Sequence, residues 1–369
     1  MNSSTFSLKA LGRRAPPQGL RPGPLLWIRV RLFNTWYNSL LTLGALWIVY
    51  VTLTGLFRWG IWNAAFGVTP ESCEGITGAC WSVIGDFWRV FLAGRYPMEE
   101  RWRVLAAYSL IIVMLTASFW PRFRQWRWYL LVWVAGACMV FVLVRGGWFG
   151  LPVVETRFWG GLMITLGLSS VGLAVGIPIG ILLALGRTSS RIPVIKALCV
   201  GFIELVRSVP FIMLLIMSFI MLPLFFPMAW DMDHLLRAQI ATIMSAAANS
   251  AEITRGGLAG VGAGQFEAAK AIGLSYWRMM GIVVLPQALR YMIPVYVSMF
   301  IIFLKDTSLV VVVGLFDLLG VARLASQNPK WIGKDIEAFV FVAIIYFIMC
   351  YAVSHYSQRL EAKYRVRVH

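Results

Sequence analysis

The residues of this chain that could do chemistry are few, and the familiar catalytic spacings are not found among them. The three histidines, His234, His355 and His369, form no His-Glu-x-x-His zinc pair. Gly333-Lys334 has Asn328 where a phosphate loop needs its first glycine and Asp335 where it needs Ser or Thr, so the chain carries no recognisable nucleotide site. What remains are polar side chains in apolar surroundings. Thr242, Ser245, Asn249 and Glu252 follow one another at intervals of three, four and three among Ala246, Ala247, Ala248 and Ala251, which puts them on one narrow helix face. Lipid satisfies neither an amide nor a carboxylate, so this face must meet water or other helices. Glu204 and Arg207 stand three apart before Ser208-Val209-Pro210; the pair can neutralise itself on one face, and the proline kinks the helix. Lys305-Asp306-Thr307-Ser308 ends an apolar run, where a charged pair needs a partner or water. Each group fits a solute pathway, and each also fits a structural use: a hydrogen-bonded seam, an internal ion pair, or a salt bridge at the outer face.

The elements that must position these groups cross a membrane. Of 369 residues, 59% are hydrophobic and 13% charged, against about 25% charged in a soluble domain; mean hydropathy is +0.75. Apolar runs reach the roughly 20 residues that cross ~30 Å of hydrocarbon as a helix, and the alternating short strands of a membrane barrel are not seen. The sequence predicts an all-α polytopic membrane protein with about eight transmembrane helices, at 36–57, 104–120, 128–144, 160–186, 196–224, 236–254, 288–308 and 338–356. A boundary near residue 157 separates a basic tail (1–34) and three N-terminal spans with a long second loop (35–157) from a five-helix core (158–369).

The net charge of +17 is read as retention of basic residues on the cytoplasmic side, with no nucleic-acid partner. The tail holds Lys9, Arg13, Arg14, Arg21, Arg29 and Arg31, four prolines and no acid, and is predicted to be disordered. Arg122, Arg124, Arg127, Arg187, Arg191, Lys196, Arg255, Lys270 and Arg278 lie on the same side, whereas the opposite loops mix Glu71, Glu74, Asp86, Asp231 and Asp233 with basic residues. An even number of spans then puts both termini in the cytoplasm. Cys73 and Cys80 share one outer loop, as an oxidised pair or as two free thiols. The apolar stretch 81–94 is too short to span and is predicted to lie along the outer interface. Gly172, Gly176 and Gly180 make a stripe on which a neighbouring helix can pack closely or slide.

Between the sixth and seventh predicted spans stands Glu267-Ala268-Ala269-Lys270-Ala271-Ile272-Gly273, followed by Val283-Val284-Leu285-Pro286. This spacing resembles the EAA loop of ABC-transporter permeases, with Val283 where isoleucine is usual. A short helix from 267 is expected to carry Ala268 and Ala269 on its surface. Gly273 would turn the chain with positive φ, and Leu285-Pro286 would stop a second short helix. Glu204-Leu205-Val206-Arg207-Ser208-Val209-Pro210, Ala251-Glu252-Ile253-Thr254-Arg255-Gly256-Gly257 and Leu304-Lys305-Asp306-Thr307-Ser308-Leu309 are similar to elements of polar amino acid permeases. The first departs from its pattern, with Ser208 and Val209 in place of Gly and Thr. The three extra N-terminal spans resemble the longer, M-type subunit of general L-amino acid importers.

The resemblance implies a permease subunit of the bacterial inner membrane that moves polar L-amino acids by alternating access and has no catalytic residue, metal or cofactor of its own. ATP and Mg would be used by a partner ATPase. That ATPase would be coupled through Glu267, Ala268, Ala269, Gly273, Val283, Leu285 and Pro286. The pathway candidates are Glu204, Arg207, Pro210, Thr242, Ser245, Asn249, Glu252, Lys305, Asp306, Thr307 and Ser308. Implied partners are a second related permease, a cytoplasmic ABC ATPase dimer, a periplasmic amino-acid-binding protein and membrane lipid. The alternative is a stand-alone ion-coupled secondary transporter using Glu204, Glu252 and Lys305 as ion or proton sites; it leaves the EAA spacing unexplained.

Overall fold

The computed structural model describes residues 24–67, 69–118, 126–188, 192–226 and 232–364. The tail before residue 24, and Arg122, Arg124, Arg191 and Asp231, lie outside the described residues. Every long element among the described residues is a helix. The chain falls into two units, residues 1–65 with 75–79, and residues 66–74 with 80–369.

In the first unit α1 (Pro24–Leu32) and α2 (Trp36–Phe57) follow one another. Residues 24–32 were expected in a disordered tail; they are instead a helix, since Leu-Leu-Trp-Ile-Arg-Val-Arg-Leu after Pro24 is free of breakers. α2 runs on through a π-helical turn at Arg58–Trp62, and this 27-residue span buries none of its α-helical residues. Such a helix is stable only where lipid covers its side chains.

The second unit holds α3 (Ser82–Ala93), α4 (Arg101–Ser118), α5 (Trp126–Arg145), α6 (Leu162–Thr188), α7 (Pro193–Ser208), α8 (Phe211–Met221), α9 (His234–Ala259), α10 (Ala263–Ala271), α11 (Tyr276–Arg278), α12 (Leu285–Asp306), α13 (Leu318–Ser326) and α14 (Asp335–Tyr364). Each predicted span falls on a helix or helix pair, yet among the described residues only four helices are long and apolar enough to cross a membrane alone, or five with α7–α8 counted as one. α9 fails that measure for a physical reason. It is rich in Ala, Ser and Thr, and twelve of its residues are buried against other helices, so it needs no apolar coat toward lipid.

The fifth predicted span is not one kinked helix. α7 and α8 meet at 108°, because Val209, held extended before proline (φ −104°, ψ 131°), breaks the ladder outright. The stretch 81–94, too short to span, forms α3, which packs on α6, α13 and α14; Phe91 meets the Phe341 ring, and Trp331 Nε1 donates to Asp86 at 2.9 Å.

The α6–α9 seam is the heart of the core. A Cβ on Gly172, Gly176 or Gly180 would come within 2.5 Å of Thr242 Cγ2, Ala246 Cβ or the Ala247 carbonyl oxygen, so the glycine stripe is where the two backbones touch. At one end of the unit Asp317 is fully buried and caps α13, accepting from the Gly320 and Leu319 N–H groups (2.8 and 3.2 Å) and from the Tyr346 hydroxyl (3.1 Å). Burial pushes its carboxyl above the usual carboxylate range, against the opposing pull of those donors.

Cys73 and Cys80 form a disulfide with a separation of seven residues. The Cys80 N–H donates to Glu337 Oε1 at 2.8 Å, so the loop is moored to the start of α14. Replacing both cysteines by serine releases a loop whose closure entropy is worth about 2 kcal/mol. The expected result is faster cleavage between residues 70 and 82 in limited proteolysis, with the helices intact; an unchanged rate would show that Glu337 alone holds the loop.

Candidate functional site

The EAA segment folds as a helix–turn–helix at one end of the second unit. α10 starts at Ala263, four residues before Glu267, because Gly262 is the last extended residue. Gly273 has φ +76° and open space around it, so the backbone angle, not crowding, calls for glycine. Two expectations are corrected. Ala269 is buried at 3% exposure under the segment, in one apolar cluster with Leu258, Met279, Met280 and Val284, so that of the Glu-Ala-Ala triplet Glu267 and Ala268 face outward. Leu285-Pro286 does not stop a helix: residues Tyr276–Val313 form one uninterrupted helical run. Pro286 removes a donor and crowds the preceding turn, and Met279–Val284 relaxes into a π-helix that absorbs the lost bond. Gln287 Nε2 donates to Gln265 Oε1 at 3.0 Å and ties α12 back to α10.

The outer face of the segment carries three apolar side chains that the sequence reading passed over. Ile272, Trp277 and Ile282 are 74%, 67% and 69% exposed, in the same stretch as the exposed Glu267 and Lys270.

Just inside this end the charged candidates meet. Glu204 and Arg207 do not pair with each other; each reaches another helix. Arg187, in the last turn of α6, bonds Glu204 at 3.3 Å and Glu252 at 2.5 Å. Arg207 lies 3.7 Å and Arg255 2.9 Å from Glu252. One carboxylate on α9 thus serves three guanidinium groups, two of them at helix C-termini, where positive charge is favoured. The i,i+3 spacing of Glu204 and Arg207 suggested a local pair, but the competing partner, Arg187, lies seventeen residues before Glu204. Glu252→Gln leaves the three arginines facing one another. The expected outcome is a loss of about 2 kcal/mol, less than for a fully buried pair, read as a lower thermal midpoint in detergent. Added salt should shrink the deficit by screening the repulsion; an unchanged midpoint would deny the hub any structural weight.

The remaining candidates disperse. Thr242 is 2% exposed in the α6–α9 seam, its hydroxyl bonded to the Ala238 carbonyl at 2.8 Å. Ser245 is 7% exposed, and Asn249, half-buried, donates to the Ser245 carbonyl at 2.9 Å. At the opposite end of α12, Lys305 is exposed, Asp306 and Ser308 are half-buried, and Thr307 is buried with its hydroxyl on the Leu304 carbonyl. Neither Lys305 nor Asp306 joins an ion pair among the described residues, so the expected salt bridge there is absent. A buried node was not anticipated: the Tyr296 hydroxyl meets Ser250 Oγ (3.1 Å) and Thr254 Oγ1 (2.9 Å), and Ser250 also donates to the Ile177 carbonyl. It joins α6, α9 and α12 on a face of α9 away from Asn249.

At the end away from the EAA segment lies a cavity of about 630 Å³. Its walls include Gly94, Arg95, Arg145, Glu155, Thr156, Arg157, Trp159, Asp233, His234, Leu315 and Phe316. Thr156 Oγ1 bonds Asp233 Oδ2, and Arg157 pairs with Glu155 at 2.7 Å.

No described cluster of His, Cys, Asp or Glu could hold a metal. The sequence that builds this helical core matches a known family. The sequence model described as "Binding-protein-dependent transport system inner membrane component" matches residues 176–366. The chain is 42% identical, over 92% of its length and 93% of the relative's, to the inner membrane amino-acid ABC transporter permease protein YhdY of Escherichia coli strain K12. It is 32% identical over 98% of its length and 99% of the relative's to the glutamate/glutamine/aspartate/asparagine transport system permease protein BztC of Rhodobacter capsulatus. A solved structure of "an amino acid ABC transporter with histidines" is 29% identical, with a TM-score of 0.50 over 55% of this chain and 92% of that one. These relatives exclude the stand-alone ion-coupled transporter. The chain therefore belongs to the binding-protein-dependent transport system inner membrane components, as the membrane-spanning permease subunit of an ABC importer whose ATPase is a separate subunit.

Proposed function

We propose that this permease serves an importer of polar L-amino acids. The observation that carries the reading is the match along nearly the whole chain to two amino-acid permeases, N-terminal helices included. Residues 35–157 are an N-terminal extension of three spans and residues 158–369 a five-span core, with α7–α8 as one broken span. Both termini face the cytoplasm, as the basic loops require. The EAA segment, with Glu267, Ala268, Ala269, Gly273, Val283, Leu285 and Pro286, receives the ATPase, and the exposed Ile272, Trp277 and Ile282 supply apolar contact area for it. A second permease, identical or related, completes the pore, and a periplasmic binding protein delivers the solute. Asn249, Ser245 and the Lys305–Ser308 turn line the route; Thr242 supports it from the seam.

The test is uptake of labelled glutamate, glutamine, aspartate and asparagine by vesicles holding this chain with its permease and ATPase partners, in the presence of the binding protein. Uptake should require ATP and every component. Uptake by this chain alone without ATP, or failure to carry any polar amino acid, would overturn the reading.

A further inference from the structure

The cavity away from the EAA segment has one wall that the core does not supply. Gly94, Arg95, Arg145 and Val153 precede residue 176, where the family match begins. The N-terminal extension therefore builds part of a chamber whose other wall is the start of α9 and the turn after Gly314. At about 630 Å³ the chamber lies within the roughly 300–1,000 Å³ of small-molecule sites.

Its charges are unevenly matched. Arg157 has Glu155, and Asp233 has the Thr156 hydroxyl. Arg95 and Arg145 enter no ion pair among the described residues; Arg95 lies 5.6 Å over the Phe316 ring. Trp159, on the same wall, keeps its indole Nε1 buried with no hydrogen-bond partner. A buried donor left unpaired costs free energy, so an acceptor placed at its edge is favoured.

The backbone beside the two arginines is braced. The Tyr96 hydroxyl, next to Arg95, donates to the Val144 carbonyl, next to Arg145, at 2.8 Å. Arg103, fully buried, donates to the Leu143 carbonyl at 2.7 Å and the Pro152 carbonyl at 2.9 Å, clamping both sides of the loop that carries Arg145. The Val154 N–H closes the loop onto the Arg145 carbonyl at 2.8 Å. Both arginine side chains are themselves exposed, so what is braced is the backbone that carries them.

We propose that this chamber is a carboxylate subsite on the outer side of the permease, contributed by the N-terminal extension, which takes the carboxylate of an amino acid on Arg95 and Arg145. The inference rests on the proposed function for its ligand class and its sidedness. Guanidinium groups suit the task because they pair with carboxylates through parallel N–H donors, and Asp233 on the facing wall suits an ammonium group.

The experiment is direct binding of labelled L-glutamate, L-aspartate and L-glutamine to the full-length chain in neutral-lipid nanodiscs, with no binding protein or ATP. The comparison is the double variant Arg95→Gln, Arg145→Gln. The expected result is saturable binding of at least one probe, weakened tenfold or more in the variant, with Tyr96→Phe weakening it by less. Absent binding in the wild type, or equal binding in the variant, overturns the subsite while ATP-driven uptake still stands. Adding phosphatidylglycerol separates a phosphate source from a carboxylate one: if the lipid displaces all probes and its retention alone depends on the two arginines, the site is a lipid anchor and the proposal fails. A variant that does not assemble with its partner permease is replaced by Arg95→Lys with Arg145→Lys, which keeps the charge and loses the fork; the loss of affinity should then be partial.

Discussion

Gly273→Pro should abolish ATP-driven uptake while the chain still inserts and assembles. The turn after α10 depends on φ +76° at this residue, and proline is locked near −65°. Proline also removes the Gly273 N–H, which donates to the Lys270 carbonyl at 2.9 Å. The segment beyond it must then leave its bed on Ala269, Met279 and Met280, and the exposed Ile272, Trp277 and Ile282 no longer form one surface. Uptake is expected to fall by well over tenfold, more than about 1.4 kcal/mol of coupling, with the ATPase losing its stimulation by loaded binding protein. Gly273→Ala is the internal control. Space around the residue is open, so alanine meets only the left-handed backbone cost of about 1–2 kcal/mol and should keep partial uptake. Glu267→Lys, on the exposed face of α10, should leave the fold intact and lower uptake by reversing a charge where the partner docks. Normal uptake in both Gly273→Pro and Glu267→Lys would remove the segment from the coupling path.

The largest effect on the folded protein is expected at the glycine stripe. Gly176→Val would drive its Cβ against Ala246 Cβ, and Gly180→Val would drive its Cβ against the Ala247 carbonyl oxygen, each at 2.5 Å before the rest of the side chain is added. Neither obstacle is a flexible side chain, so α6 and α9 must separate. Overpacking of this kind costs about 1–3 kcal/mol where neighbours can yield, and more here. The Ser250–Ile177 and Ser250–Tyr296 bonds stretch along with the seam. The expected reading is a collapse of the monodisperse peak in size-exclusion chromatography and a marked drop in thermal midpoint. Gly167, on the same helix with nothing within 4 Å, provides the contrast: Gly167→Ala should be neutral or slightly stabilising, since alanine favours a helix by up to about 1 kcal/mol.

Features written in local spacing were legible in the sequence. The EAA pattern located a helix–turn–helix and the one glycine with the required φ. The Gly172-Gly176-Gly180 repeat named the helix face that another helix touches. Hydropathy found the helices but not how they are used: it ran α7 and α8 together as one kinked span, because the single Pro210 signals a bend without giving its angle. What could not be read were partners far apart in the chain. Glu204 and Arg207 look like a pair until Arg187 is placed beside them. Tyr296 lies in an apolar run and gains its role only from Ser250 and Thr254 on another helix. Arg103 looks like a membrane-edge charge and is a fully buried clamp on the Leu143 and Pro152 carbonyls. Ala269 was assigned to the surface because its neighbours in the motif are there, whereas the core beneath joins Leu258, eleven residues earlier, to Met279, Met280 and Val284, ten to fifteen later.

The unbroken run from Tyr276 to Val313 has a mechanical meaning. Its 38 residues measure roughly 57 Å at the α-helical 1.5 Å per residue, enough to reach from the exposed Trp277 to the far side of a bilayer. At its far end Gly314 turns the chain (φ +78°) into Leu315 and Phe316, which wall the cavity. The π-helical turn at Met279–Val284, Pro294 and the tighter turn at Thr307–Val313 are the places where such a run can bend. On the proposed reading the run is the covalent link between the ATPase surface and the chamber, and spin labels at 277 and 314 should change their distances to α3 together when ATP binds; a change at 277 alone would mean that one of these bends absorbs the motion.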